Sequence, residues 1–194
     1  MPDLRVEMAA AARHLAETDG KVAEGLGIAN WRDLIARGLI GIACGAIGRG
    51  DLFTPAEFGH GPVHLIAGAI AIGGIVDYAA FLPQRPEHWG LRTGDGQFLG
   101  PDDVRQAIKG YGWGPDLATL HLHATPLAWL QAEGEGCVVI DGFGSDTGFL
   151  LREVERIAVP NPAFGRALRR QLMPPLRLPE IVVNGGTNGA RTCR

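Results

Sequence analysis

The spacing of apolar residues predicts helices in the first part of the chain. Apolar and small residues recur at helical spacing over residues 5–25, where Gly20 marks an interruption or an end. A second helix is expected after Asn30, a residue suited to the N-cap. Residues 40–50, IGIACGAIGRG, are apolar and glycine-rich, and they are interpreted as a buried helix end or a close-packed turn. We therefore expect a helical N-terminal region over residues 1–60.

The longest apolar run, residues 63–82, is long enough to raise the question of a membrane span. His64 and Asp77 lie inside the run and glycines interrupt it, which disfavours a helix in lipid. The run therefore predicts two buried strands joined at Gly73-Gly74, with no membrane association. Asp77 is expected either at a strand edge or as a polar group satisfied by hydrogen bonds.

Residues 83–108 predict a loop, a hairpin and a short helix. The hairpin would have strands over residues 88–93 and 97–99, with Gly94-Asp95-Gly96 as its turn. Pro101 then opens a helix that runs to Ile108, because proline is favoured at the first helical position.

From Leu117 onward, strand-like and helix-like segments alternate. The predicted strands cover residues 118–123, 137–141, 156–159 and 181–183, and the predicted helices cover residues 126–132, 149–154 and 163–172. This βαβαβαβ order with right-handed crossovers gives parallel strands with helices on their faces. The predicted fold class is therefore α/β, with a helical N-terminal part followed by a mixed sheet. The α/β domain spans residues 61–183, and residues 184–194 form a flexible tail.

Composition narrows the classes of function. The chain has 194 residues and a net charge of -3, which argues against dominant non-specific binding to nucleic acid. Its three cysteines, Cys44, Cys137 and Cys193, are too few and too scattered for a disulfide framework or a zinc site. The first residues carry charges at short intervals and no apolar core of a signal peptide. We therefore expect a cytoplasmic protein.

A glycine-rich turn, residues 141–148 (DGFGSDTG), lies between a predicted strand and a predicted helix. Backbone amides approach phosphates or nucleosides in this context, so Gly142, Gly144, Ser145 and Gly148 are candidate ligand-binding residues for a nucleotide or S-adenosylmethionine. The glycine spacing departs from GxGxxG, and it is also one residue out of step with the methyltransferase loop. A tight surface loop is the alternative interpretation.

Two histidines, His121 and His123, alternate on a predicted strand and therefore project to the same face. Together with Asp141 they are candidate acid-base groups of a small enzyme. No third metal ligand lies near them in sequence, so no metal site is predicted. Hydrogen bonding within the sheet is the alternative role for both rings.

Three arginines, Arg166, Arg169 and Arg170, lie three and four residues apart in the last predicted helix. This spacing places them on one face, where they are candidates for contact with the phosphates of a nucleic acid. A solvated helix face is the alternative interpretation.

The segment after residue 159 reads Pro-Asn-Pro-Ala-Phe-Gly-Arg and leads into this basic helix. With the preceding strands and helices it resembles the toprim domain of primases and topoisomerases, in which a strand ends in Glu-Gly and a later strand runs into Asp-x-Asp-x-x-Gly. Gly165 and the basic helix match that pattern. Pro160 and Pro162 stand in place of the two aspartates, and His121 or His123 falls near the position of the glutamate.

The resemblance implies a toprim-like fold that has lost the carboxylates needed to hold Mg²⁺. It implies a non-catalytic binding or assembly module without a cofactor, whose partner is a protein or a nucleic acid reached through the basic helix. It also implies a phage or mobile-element origin. The rival hypothesis is a small enzyme or ligand-binding domain that uses the turn at residues 141–148. Convergence of βαβ repeats on this pattern is the alternative to kinship, and the oligomeric state is left open.

Overall fold

The chain begins with three helices. A computed structural model describes residues 2–71, 73–108 and 119–173. The helices are α1 (Leu4–Glu17), α2 (Lys21–Gly25) and α3 (Trp31–Ala36). The carboxylate of Asp3 accepts hydrogen bonds from the amides of Arg5 and Val6, so it caps α1. The helix predicted over residues 5–25 is thus divided in two, and the interruption predicted at Gly20 is confirmed.

Five antiparallel strands follow in the spatial order β2-β1-β3-β4-β5. Their bounds are β1 (Ile40–Ile47), β2 (Phe53–Pro55), β3 (Val63–Ala71), β4 (Gly74–Phe81) and β5 (Trp89–Leu91). The two strands predicted within residues 63–82 are confirmed. The helix end or turn predicted over residues 40–50 is wrong, because a short apolar run fits a buried strand as well as a buried helix. β1 pairs with β3, so the sheet draws strands from both sides of residue 60 and the helical part is shorter than predicted.

Both faces of the central strands are buried. On β3, Leu65 and Ala67 belong to the core beneath α2 and α3, whereas Ile66 between them belongs to the core beneath α1. On β4, Phe81 lies on the first face and Tyr78 on the second. Strands covered on both faces need apolar residues at successive positions, which explains the uninterrupted apolar run in the sequence.

The sheet curls until its two ends meet. The amide of Leu91 in β5 donates a hydrogen bond of 2.8 Å to the carbonyl of Asp51, and Leu52 forms an isolated parallel bridge with Leu91. The turn between β1 and β2 therefore lies beside β5, where it forms one wall of a cleft.

The hairpin predicted over residues 88–99 is wrong. Its two strands exist, but β5 pairs with β4, and β6 (Phe98–Leu99) pairs antiparallel with β8 (Val138–Val139). The chain between β5 and β6 does not make a tight turn because it wraps around the buried carboxylate of Asp77.

The C-terminal part combines short strands with helices. Besides β6 and β8, its elements are α4 (Pro101–Ala107), β7 (Leu120–His121), α5 (Pro126–Gln131), α6 (Ser145–Arg152), β9 (Ile157–Ala158) and α7 (Pro162–Leu172). β7 pairs with β9 in parallel, and a parallel bridge between Leu122 and Cys137 links β7 to β8. The strands thus lie in the order β6-β8-β7-β9. Among the described residues, the protein is a mixed α/β structure whose parallel strands are these short ones, and the larger sheet is antiparallel apart from the bridge between Leu52 and Leu91, not the single mixed sheet predicted.

Two predicted elements fall on residues that the structure does not describe, the strand at residues 181–183 and the tail at residues 184–194. Within the described ranges, no helix combines the length and the apolar character needed to cross a membrane.

Candidate functional site

The most deeply buried charge in the described structure, Asp77, organises the loop that follows β5. Its carboxylate has no solvent exposure. Each of its two oxygens accepts three backbone hydrogen bonds of 2.7 to 3.1 Å, from the amides of Tyr78, Arg92, Thr93, Gly94, Asp95 and Gly96. The predicted alternative of a satisfied polar group is confirmed, whereas a position at the strand edge is wrong because Asp77 lies inside β4.

A second polar contact ties this loop to the first helix. Arg92 donates two hydrogen bonds, of 2.8 and 2.9 Å, to the carboxylate of Glu7 on α1, and the hydroxyl of Tyr78 donates a third of 2.8 Å. Burial would raise the pKa of Glu7, but the hydrogen bonds from Arg92 and Tyr78 outweigh it and lower the pKa of this carboxyl. Burial and the neighbouring Glu7 raise the pKa of Tyr78. The loop is therefore held rigidly from two sides.

This loop helps to form a cleft with a volume of about 380 Å³. The cleft lies between the β1–β2 turn, the start of β5, Gly94 and the end of β8. Three carboxylates line it, those of Asp51, Glu87 and Asp141, together with the rings of His88 and Trp89. Among the residues that the structure describes, no lysine or arginine lines the cleft, so this lining is acidic and includes an aromatic ring.

The glycine-rich turn contributes less to the cleft than its sequence predicts. Of the four predicted ligand-binding residues only Gly142 lines it, beside Asp141. The carboxylate of Asp141 accepts hydrogen bonds from the amide of Phe143 and from the hydroxyl of Thr147, which is fully buried. The turn is therefore closed on its own carboxylate, as in an Asx-turn.

The remaining predicted residues of the turn lie away from the cleft. Gly144 and Ser145 are exposed, and the Ser145 hydroxyl donates to the adjacent Asp146. Gly148 is buried in α6, where its carbonyl accepts a hydrogen bond from Nε of Arg152 and its amide donates to Gly144. These contacts hold the start of α6 and leave two negative side chains near its N-terminus.

The histidines do not join Asp141. His121 is exposed and lines a different cavity, of about 340 Å³, together with Arg37 and Asp103. The ring of His123 forms a hydrogen bond of 2.9 Å with the carbonyl of Glu135. The bridge between Leu122 and Cys137 joins β7 to β8, so the two histidines lie beside the start of β8, whereas Asp141 follows its end.

The cavity beside His121 was not anticipated from the sequence. Arg37 comes from the end of α3 and Asp103 from α4, so only the tertiary structure brings them to β7. Burial, and the nearby acids Asp102 and Glu135, raise the pKa of Asp103.

The predicted basic face lies on α7. The Asn161 side chain caps this helix by accepting a hydrogen bond of 2.9 Å from the amide of Phe164. Within α7 the side chain of Leu168 is buried, whereas Arg166, Arg169 and Arg170 are exposed. None of the ion pairs formed among the described residues involves these three arginines.

Around this helix the ends of two parallel strands are neighbours. β7 and β9 pair in parallel, so His123 and Pro160, which follow them, lie at the same edge. Pro160 and Pro162 are exposed and carry no carboxylate. Across the described ranges, no three His, Cys, Asp or Glu side chains are grouped so that they could hold a metal ion.

No family model, no curated protein and no solved structure matches this chain. Its function is therefore inferred from its own residues and their geometry.

Proposed function

We propose that this protein is a non-catalytic binding module that contacts the phosphates of a nucleic acid through α7. The observation that carries the proposal is the exposed basic face of that helix, formed by Arg166, Arg169 and Arg170. Arginines without a carboxylate partner keep their guanidinium donors available for phosphate oxygens. An overall charge of -3 confines the attraction to this local surface.

A toprim-like origin of the C-terminal part belongs to the same proposal. The resemblance assigns the acid of the first strand to the end of β7 and the paired aspartates to the end of β9. Because β7 and β9 are parallel neighbours, these two positions lie side by side, as ligands of one metal ion would have to. This arrangement supports the assignment of His123 and Pro160 to the places of metal-binding acids.

The residues that occupy these places support binding without catalysis. The ring of His123 is engaged by the carbonyl of Glu135. Pro162 takes the first turn of α7 and Asn161 caps it, so this segment serves to start the helix. Neutral prolines supply no charge to hold Mg²⁺ against phosphates. The proposal is therefore a binding module that is associated with nucleic acid and has a phage or mobile-element origin.

The proposal is tested by the triple variant R166Q/R169Q/R170Q. Fluorescence anisotropy with labelled single-stranded and duplex DNA gives the dissociation constant at several salt concentrations. We expect weaker binding, and a salt slope smaller by about 2.7 for duplex and about 2.1 for single strands if all three arginines contact phosphates. The matched control is R13Q/R49Q/R85Q, which removes the same charge from exposed arginines elsewhere.

Equal weakening in both triple variants would show that net charge, and not α7, governs binding. Binding that is unchanged by R166Q/R169Q/R170Q, with an unchanged salt slope, would contradict the proposal.

A second candidate function is ligand binding in the cleft beside Asp141. The acidic lining of the cleft favours one of the two candidate ligands. A nucleotide brings negative phosphates toward Asp51, Glu87 and Asp141, which repel them. S-adenosylmethionine brings a cationic sulfonium and an aromatic base, which suit the carboxylates and the ring of Trp89. The acidic cleft therefore favours S-adenosylmethionine over a nucleotide.

This second candidate is tested by thermal shift with S-adenosylmethionine and with ATP in parallel. A ligand that binds only the native state raises the melting temperature. We expect stabilisation by S-adenosylmethionine alone, which the variant E87Q should weaken. Stabilisation by ATP, or by neither compound, would contradict it.

A further inference from the structure

An apolar groove lies between β9 and α7, on the side of the helix next to its basic face. Its volume is about 420 Å³. The residues that line it are Ile157, Val159, Gly165, Leu168, Arg169, Leu172 and Met173. Met173 is 65 % exposed, although an apolar side chain of this size is usually covered. Within the described residues, nothing fills the groove.

The groove runs along an unpaired strand edge. β9 pairs with β7 on one side, where the carbonyls of Arg156 and Ala158 accept hydrogen bonds from β7. In a parallel strand successive residues bond to opposite sides, so the peptide groups of Ile157 and Val159 face outward. No backbone hydrogen bond of Val159 is formed among the described residues. An open edge of this kind accepts a further strand.

The chain after α7 is long enough to reach this edge. α7 has 11 residues and is about 16 Å long. The eight residues at positions 173–180 span at most about 26 Å when extended, which is enough to return along the helix. They lead to Ile181, Val182 and Val183, three β-branched apolar residues.

The topology favours the same placement. α6 and α7 pack against each other, so they lie on one face of the strands β8, β7 and β9. The path from β8 through α6 to β9 moves outward across this sheet. A path from β9 through α7 to a strand on the outer edge of β9 moves in the same direction and over the same face of the sheet. The crossover through α6 and the crossover through α7 therefore have the same hand. Parallel crossovers are almost always right-handed, and this placement keeps the two consistent.

We propose that the segment Ile181–Val183 of the same chain binds along the outer edge of β9 and fills the groove. Ile157 and Val159 both face α7, so Ile181 and Val183, which alternate in the same way, are the side chains that enter the groove. The C-terminal segment thus completes the sheet, and it is an intramolecular ligand of the groove.

The test uses the full chain with the substitutions I181D/V183D. Hydrogen exchange measured by NMR follows the amides of Ile157 and Val159. We expect these amides to be protected in the unmodified protein and to exchange more than about tenfold faster in the variant. A tenfold change corresponds to the stabilisation that burial of one branched aliphatic side chain provides. The melting temperature should fall as well. The control N184D/T187D adds the same two charges beyond the segment and should change neither quantity.

If I181D/V183D fails to fold, I181A/V183A gives the same comparison with a milder change. Fast exchange of both amides in the unmodified protein, or exchange unaffected by the substitutions, would overturn the proposal. Protection that disappears on dilution, together with dissociation of a dimer in native mass spectrometry, would show that the segment of a second copy occupies the groove and would also overturn it.

Discussion

Replacing Asp77 with asparagine preserves the size of the side chain and removes half of its acceptors. One amide oxygen still accepts three backbone hydrogen bonds, but the new NH₂ group faces three N–H donors that it cannot pair. Each buried donor left unpaired costs about 1–3 kcal/mol. Gly94 and Asp95 are exposed enough for water to replace part of the loss, whereas Gly96 is buried. We therefore expect D77N to lower the free energy of unfolding by about 3–5 kcal/mol.

Urea denaturation at pH 7, followed by fluorescence of the four tryptophans, measures this change. A loss of that size is a large part of the 5–15 kcal/mol by which a typical domain is stable. The control is D95N, which changes an exposed carboxylate in the same loop and should cost less than about 0.5 kcal/mol. A D77N loss below about 1 kcal/mol would refute the reasoning, because the six hydrogen bonds would then not hold the loop.

Two further predictions concern the contact with α1 and the start of α4. The pKa of Glu7 is lowered by folding, so the stability it gains from Arg92 is complete above its ordinary pKa of 4.5 and is lost as the pH falls below that value. We expect E7Q to cost about 1–2 kcal/mol at pH 7 and progressively less in urea titrations below pH 4.5; an equal cost at every pH would contradict this. Gly100 has a φ of +68° and a side chain there would collide with the carbonyl of Gly136, so G100A should cost more than G50A, which has a φ of +73° but open space. Equal thermal shifts for the two alanine variants would show that the collision is relieved.

The predictions that held rest on local signals. The helix predicted over residues 126–132 is confirmed as α5, and the side chain of Thr125 caps it by accepting a hydrogen bond from the amide of Ala128. Pro101 was predicted to open α4, and it does. The long apolar run was predicted to form two strands, and β3 and β4 meet at Gly73-Gly74. Capping residues, prolines and glycine turns act within a few residues of the chain, so their effect is visible without tertiary structure.

Apart from residues 40–50, where a short apolar run fits a strand as well as a helix, the predictions that failed concern partners distant in sequence. β5 and β6 were predicted to pair with each other because they are neighbours in sequence. β5 pairs instead with β4, and β6 with β8, since the intervening residues satisfy the carboxylate of Asp77. The buried carboxylate of Asp77 needs several hydrogen-bond donors, more than a tight hairpin turn between β5 and β6 would supply. The loop between β5 and β6 supplies these hydrogen bonds to Asp77, and the spacing of the two strands along the chain does not show this requirement.

The candidate site shows the same division. The sequence alone determined which residue types are present: the three arginines of α7, the glycine-rich turn, and prolines where acids would be needed to hold a metal. Tertiary structure decided which of them share a surface. It placed Asp141 with Asp51 and Glu87 in one cleft and His121 in another, because the curl of the sheet and the bridge between Leu122 and Cys137 set where these residues lie. Such distances depend on contacts across the whole fold, and no local pattern of residues encodes them.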